Sequence, residues 1–178
     1  FIEAEGSFDL SPKRNICGFN VSQHKRSINT LKAIKSYVLN NWKPIDNTPL
    51  LIKNKLLKDW DSSIKLTKPD KNGVIKLEFN RIDFLYYVIL PKLYSLKWYS
   101  RKEIDFQLWK TLIEIYIKGL HNTLKGSNLL KLINNNINKK RYYSNYNIPK
   151  NIIDDVLNIN LIYNYKLPYR INSDIQRL

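Results

Sequence analysis

Four short stretches of this chain alternate apolar and polar residues with a period of two, and no other pattern in it restricts the fold as much. Phe8 and Leu10 fall on one side of the first stretch, with Asp9, Ser11 and Lys13 on the other. In the second, Ile16 to Gln23, the side chains of Cys17, Phe19 and Val21 alternate with Gly18, Asn20 and Ser22. Ile64 and Leu66 alternate with Lys65 and Thr67, and Ile75, Leu77 and Phe79 alternate with Lys76 and Glu78. Successive side chains of a strand point to opposite faces, so each stretch predicts a strand with one apolar and one polar face. Asp70-Lys71-Asn72-Gly73 joins the last two and carries the residue types of a hairpin turn. Pro12 falls late in the first strand, where it cannot donate to a ladder, and predicts an edge or a hairpin end.

Helical spacing fills the intervals. Ile28, Leu31, Ile34 and Val38 lie on one stripe of a basic helix. A polar loop with two prolines spans Asn40 to Pro49, and a short helix is expected from Leu50 to Trp60. Ile82 to Leu93 reads as a helix interrupted near Pro91. Glu103 to Lys118 is the cleanest amphipathic segment, with Ile104, Leu108, Leu112 and Ile115 on its apolar stripe, and a shorter helix is expected over Ser127 to Ile133. The chain then becomes rich in Asn, Lys and Tyr. A single domain over residues 1–135 is expected, followed by a linker and tail over 136–178 with room for a helix from Pro149 to Leu157. The order predicts an α+β fold: four antiparallel strands whose apolar face packs on helices and whose polar face stays bare.

Charge narrows the partner. Lys and Arg number 30 against 15 acids, a formal net charge of +15, which attracts polyanions. Nucleic acid comes first and an anionic membrane surface second, since the basic residues spread along the whole chain and no apolar run approaches the roughly 20 residues of a spanning helix. A bare sheet face bearing Lys13, Lys65 and Lys76 suits the groove of a duplex. The lone cysteine, Cys17, excludes an intrachain disulfide framework and reads as a buried thiol beside Phe19 and Val21. His24 and His121 are far apart in sequence and read as surface or structural residues rather than metal ligands. Heavy use of Asn, Lys, Ile and Tyr is what AT-rich codons produce and suggests an organellar gene.

The chain opens without methionine on Phe1-Ile2-Glu3-Ala4-Glu5, which reads as the last turn of a helix that starts upstream. Gly6 closes it, either as a C-cap or where two backbones approach closely. Phe1-Ile2-Glu3-Ala4-Glu5-Gly6-Ser7-Phe8 resembles the end of the motif that names the LAGLIDADG homing endonucleases and intron maturases, in its variant ending E-A-E-G-S-F. Val21-Ser22-Gln23-His24-Lys25 resembles the end of that family's second strand, and Ser100-Arg101-Lys102-Glu103-Ile104-Asp105-Phe106-Gln107-Leu108-Trp109 resembles its S-K-K-x-x-D-F-x-x-W segment. The likeness covers about Phe1 to Lys131, and the three blocks together are more specific than any one of them.

The resemblance implies an αββαββα unit with a saddle-like four-stranded antiparallel sheet backed by helices. Two such units meet through their motif helices, each delivering a carboxylate to a shared centre that binds Mg2+. The metal-binding and catalytic carboxylate maps to Glu5, Gln23 would position a water, and Lys102 would place positive charge near the transition state, with Arg101 as the alternative. Asp9, Ser11, Lys13, Arg14, Asn20, Ser22, Lys65, Thr67, Lys76 and Glu78 would face DNA. Glu3 is expected to stabilise the helix-pair interface, and Asp105, Phe106 and Trp109 to serve in packing. Tyr142, Tyr143 and Tyr146 either stack on bases or stand idle. The implied activity is Mg2+-dependent cutting of both strands of double-stranded DNA at an intron insertion site, in a mitochondrion. The alternative is a maturase that binds intron RNA without cleaving, and a third reading is an inactive remnant of a mobile element. The implied partner is a second LAGLIDADG repeat, upstream in the same chain or on a second subunit, without which this fragment would be inactive. Outside this context Glu5, Gln23 and Lys102 are an ordinary helix-end acid, a polar strand residue and a solvated lysine.

Overall fold

The structure, a computed structural model, describes residues 2–11, 16–100 and 102–138. Helix α1 (Ile2–Glu5) runs directly into β1 (Gly6–Ser11), and β2 (Ile16–His24) returns alongside it. Then come α2 (Ile28–Asn41), α3 (Leu50–Lys58), β3 (Ile64–Leu66) and β4 (Val74–Phe79). The chain ends its described part with α4 (Ile82–Phe84), a π-helical turn (Leu85–Ile89), α5 (Leu90–Tyr94), α6 (Lys102–Ile117) and α7 (Leu124–Asn134). The sheet order is β1-β2-β4-β3, with every neighbouring pair antiparallel. The α+β order expected from the alternation is therefore the observed one.

Alternation becomes burial on one face. Phe8, Cys17, Phe19, Val21, Ile64, Ile75, Leu77 and Phe79 are all buried, and Leu10 and Leu66 pack against them in part. Burying each large apolar side chain contributes about 1.5–3 kcal/mol, which is what selects this register over one slipped by a residue. The β3–β4 turn forms as its residues require. Asp70 Oδ1 accepts from the backbone N–H groups of Asn72 (2.8 Å) and Val74 (2.9 Å), and Gly73 takes φ 74°, a conformation that favours glycine.

Helix α6 departs from expectation. Ile104 is only half-buried, while Phe106, Trp109 and Ile113 are buried together with the expected Leu108, Leu112 and Ile115. The helix is buried on most of its circumference, because it lies against the sheet on one side and against α4, the π turn and α7 on others. Phe8 links sheet to helix, its ring lying 5.0 Å from Trp109, 5.4 Å from Phe19 and 6.0 Å from Phe106. The β2–β4 ladder starts at Phe19↔Phe79, so Gly18 lies beyond it, and its carbonyl accepts instead from Trp109 Nε1 at 2.7 Å. Pro91 falls in the first turn of α5, just after the π turn, so the helix is irregular near it as expected. The proline lacks an N–H for the carbonyl four residues back, and that carbonyl, of Tyr87, accepts from Ile45 N–H at 3.1 Å.

Gly6 is not a left-handed cap. It begins β1, and a Cβ there would lie 2.5 Å from the Ile2 carbonyl oxygen and 3.0 Å from the Phe19 ring, so the close-approach reading is the observed one. Cys17 is free and buried, and burial pushes its thiol above the ordinary range. Packing continues past α7: Ile137 is buried, Asn138 N–H donates to Asp105 Oδ1 at 2.9 Å, and Asn138 Nδ2 donates to the Phe8 carbonyl. Asp105, expected among packing residues, thus also anchors the chain after α7. The expected helix over Pro149–Leu157 and Tyr142, Tyr143 and Tyr146 lie outside the described residues. No helix among the described residues is long and apolar enough to cross a membrane.

Candidate nucleic-acid interface and carboxylate site

The polar sheet face is laid out by the strand register. Ser7 pairs with Asn20, Asn20 with Glu78, and Glu78 with Lys65, so these four form one row across the sheet. Toward α1, Ser22 pairs with Lys76, and Thr67 extends that row, its backbone N–H donating to the Lys76 carbonyl (2.9 Å) and its Oγ1 accepting from Lys76 N–H (2.9 Å). Away from α1, Asp9 pairs with Gly18. Rows on one face are about 7 Å apart, two residues of strand rise. Asp9, Lys65 and Lys76 are exposed, and Ser7, Ser22, Thr67 and Glu78 are half-buried.

Asn20 differs from its neighbours. The sequence places it among residues facing DNA. It does sit on that face, but it is only 4% exposed. Its Nδ2 donates to Asp9 Oδ2 and its Oδ1 accepts from Ser22 Oγ at 3.1 Å, so both ends of the amide are engaged within the protein. Asp9 also accepts from Ser7 Oγ at 3.3 Å. Desolvation pushes the Asp9 carboxyl above its ordinary range and Glu78 adds to this, while Lys76 and the Ser7 and Asn20 hydrogen bonds oppose it. Asn20 is thus a support beneath Asp9, a role that alternation alone does not distinguish from a surface contact.

At the end of the sheet nearest α1 lie the chain segments that carry the expected catalytic residues. Glu5 is exposed at the last position of α1. The β1–β2 pairing ends at Gly6↔Val21, so continuing it sets Ser22 and Gln23 beside the α1–β1 junction, and α1 contacts β2. Gln23 is half-buried and shares by parity the side of Val21 rather than that of Ser22. Lys102, the first residue of α6, is only 7% exposed, and its Nζ donates to the Gly6 carbonyl. A residue that sequence leaves as a solvated lysine outside its motif is in fact buried beside Gly6, the residue that follows Glu5.

Glu3 has a definite place within the chain. Its Oε1 accepts from Tyr99 N–H (2.7 Å), Ser100 N–H (2.9 Å) and Ser100 Oγ (3.0 Å), just before α6 begins. The Tyr99 backbone bond chiefly, with Ser100, holds its carboxyl below the ordinary range against some desolvation. Glu3 therefore ties α1 to the start of α6 and so to Lys102, a role spacing could not show because the partners are 96 and 97 residues away. Ser11 closes β1, but its side chain, and Lys13, Arg14 and Arg101 entirely, lie outside the described residues. His24 is exposed and structural, its Nδ1 accepting from Arg26 N–H at 3.3 Å, and the His121 ring lies against Tyr116 at 4.8 Å. Among the described residues no group of three or more His, Cys, Asp or Glu side chains is placed to hold a metal ion.

No family model matches the chain. It is 94% identical, over all 178 residues, to mitochondrial protein RF1 of Saccharomyces cerevisiae, and spans 38% of that protein's length. Its structure is similar to the LAGLIDADG homing endonuclease I-GzeII in complex with its DNA target (TM-score 0.60, 19% identity, 79% of this chain and 42% of that one). It is likewise similar to the LAGLIDADG meganuclease I-AabMI bound to uncleaved DNA (TM-score 0.59, 21% identity, 78% and 42%). A third likeness is to I-SmaMI bound to an uncleaved DNA target with calcium ions (TM-score 0.58, 18% identity, 78% and 42%). The fold of this chain is thus the LAGLIDADG homing endonuclease fold, in an amount that fills less than half of each of these proteins.

Proposed function

We propose that this chain is a DNA-reading half of a mitochondrial, site-specific DNA endonuclease that hydrolyses phosphodiesters with a divalent cation, Mg2+ being the expected one. The observation that carries this reading is the meeting of three sequence blocks at the α1–β1 junction. Exposed Glu5 ends α1, the end of β2 that carries Gln23 runs past the junction by register, and buried Lys102 is held on the Gly6 carbonyl. An exposed carboxylate suits a hard cation, which takes carboxylate and water oxygens. In this reading Glu5 is one ligand of a site that a second LAGLIDADG repeat completes. The cation, when bound, would stabilise the attacking and leaving oxygens of the phosphodiester.

This chain's own residues then have separable tasks. Glu5 supplies a carboxylate oxygen at the centre. Gln23 orients water. Lys102 places a fixed positive charge where negative charge accumulates on the phosphate, in a partly water-excluded position where such charge is worth most. Glu3 positions Lys102 by clamping the start of α6. Asp9, Ser22, Lys65, Thr67, Lys76 and Glu78, with Ser11, Lys13 and Arg14, face the duplex. The DNA complexes of I-GzeII and I-AabMI support this reading of the face, and the calcium-bound I-SmaMI supports a divalent cation.

Cleavage is tested on the full-length protein with Mg2+ and plasmid carrying the uninterrupted insertion site. The wild type should linearise the plasmid, and Glu5→Gln should abolish cutting while retaining DNA binding. Equal cutting by both would remove Glu5 from the centre. Tight binding of intron RNA with no cutting of any plasmid would favour the maturase instead.

A further inference from the structure

The sheet face is not uniformly basic, and the place where its charge changes sign has a consequence for the target sequence. Lys76 and Thr67 lie in the row nearest the α1–β1 junction, with Glu78 and Lys65 in the next. Asp9 lies in the row beyond, with the Ser11 row farther still from that junction. An exposed carboxylate on a face that approaches DNA is repelled by phosphate. It gains from a base edge only where that edge offers a donor. In the major groove cytosine offers its N4 amine with no acceptor of its own beside it, only the O6 of its guanine partner, and adenine offers N6 next to its own N7 acceptor. Guanine presents O6 and N7, and thymine O4, all acceptors that a carboxylate repels.

The surroundings of Asp9 make it a fixed acceptor. Each carboxylate oxygen takes a hydrogen bond from the protein, Oδ1 from Ser7 and Oδ2 from Asn20. The Asn20 amide cannot turn over without loss, because its Oδ1 accepts the Ser22 hydroxyl. These bonds hold the carboxylate in one orientation and leave each oxygen a further lone pair with which to accept. Directly across from Asp9 is Gly18, so the β2 side chain that reaches the carboxylate is the diagonal one, Asn20. The Asn80 amide oxygen lies 2.5 Å from where a Cβ on Gly18 would be, so a larger residue there would require the Asn80 side chain to move aside. Asn80 Nδ2 in turn points to Glu78 Oε2 at 3.4 Å.

Resting on the reading of the chain as a DNA-cutting half-site, we infer that Asp9 is a specificity-determining residue that selects an amine-bearing base in the major groove, cytosine before adenine. Asp9 is three residues beyond Gly6, about 10 Å along β1, which corresponds to about three base-pair steps outward from the cut. Asn20, Ser7 and Ser22 act through Asp9 as positioning residues.

The experiment is selection of bound duplexes from a random double-stranded pool by the full-length protein, wild type against Asp9→Asn and Asp9→Glu. Wild type should show one position in this half of the site enriched in cytosine. Asp9→Asn, which replaces one acceptor by a donor, should shift that position toward adenine and weaken cytosine about tenfold, leaving the preferences at other positions in place. Asp9→Glu, which keeps the charge, should retain cytosine with smaller enrichment. Selective wild-type binding with a profile that Asp9→Asn does not change, or with guanine or thymine at the Asp9-dependent position, overturns this inference alone. A wild type that selects no duplex sequence overturns the endonuclease reading and the inference together.

Discussion

Glu3 and Glu5 sit two residues apart on one short helix and do different work. Glu5 stays exposed, while Glu3 spends its carboxylate on the backbone of Tyr99 and Ser100. Its carboxyl is held below the ordinary glutamate range of about 4.3, so its contribution to stability is present above that value and is lost as pH falls through the lower folded value. Between about pH 6 and pH 3 the melting temperature of wild type should therefore fall more steeply than that of Glu3→Gln, which keeps an acceptor but has no charge to lose. Parallel melting curves across that range would remove the charge from this role. The sequence separates the two acids only through the motif, which names Glu5. The partners of Glu3 come from the far end of the domain, and no local pattern indicates them.

Secondary elements show the same division. The β3–β4 hairpin was legible because its turn residues act on their own backbone, and the strands because one apolar face must be buried. Helix α6 was placed correctly and described incompletely: an apolar stripe reveals that one side is buried, whereas Trp109 and Phe106 are buried by neighbours distant in sequence. Pro91 predicts an interruption, and the helix is irregular there: a π turn ends at Ile89, and the orphaned Tyr87 carbonyl accepts from Ile45 N–H. Gly6 is where α1 and β1 meet most closely, and the obstacle to any side chain there is backbone, which cannot move aside as a side chain can. Gly6→Ala should cost about 1–3 kcal/mol by overpacking. It should also displace the α1 end, so that cleavage falls further than the loss of folded protein explains. Chemical denaturation and cleavage measured on the same preparation give the comparison, and an unaltered cleavage rate per folded molecule would mean that α1 tolerates the shift.

At the scale of the molecule, a net charge of +15 becomes useful for recognition only when strand pairing gathers part of it on one face. Lys65 and Lys76 come from adjacent strands of the hairpin and lie exposed on that face. Binding of the full-length protein to duplex DNA should weaken linearly in log affinity against log salt, since each neutralised phosphate releases counterions. Lys65→Ala should lower that slope by about 1 while weakening selected and unrelated duplexes alike. A slope unchanged by the substitution would place Lys65 away from phosphate.

The order of strands and helices and the identity of the buried strand face could be read from residues in line, whereas Glu5, Gln23 and Lys102 are singled out by the motif resemblance alone. Periodicity and turn chemistry act over a few neighbours, and the motif blocks are themselves local strings. Burial of Lys102 against Gly6, the clamp at Glu3, the submersion of Asn20 beneath Asp9 and the gradation of charge along the sheet face arise only when segments up to 97 residues apart are brought together. Hydrogen bonding and desolvation fall off within a few ångströms. Which groups they couple therefore depends on which chain segments the fold sets side by side.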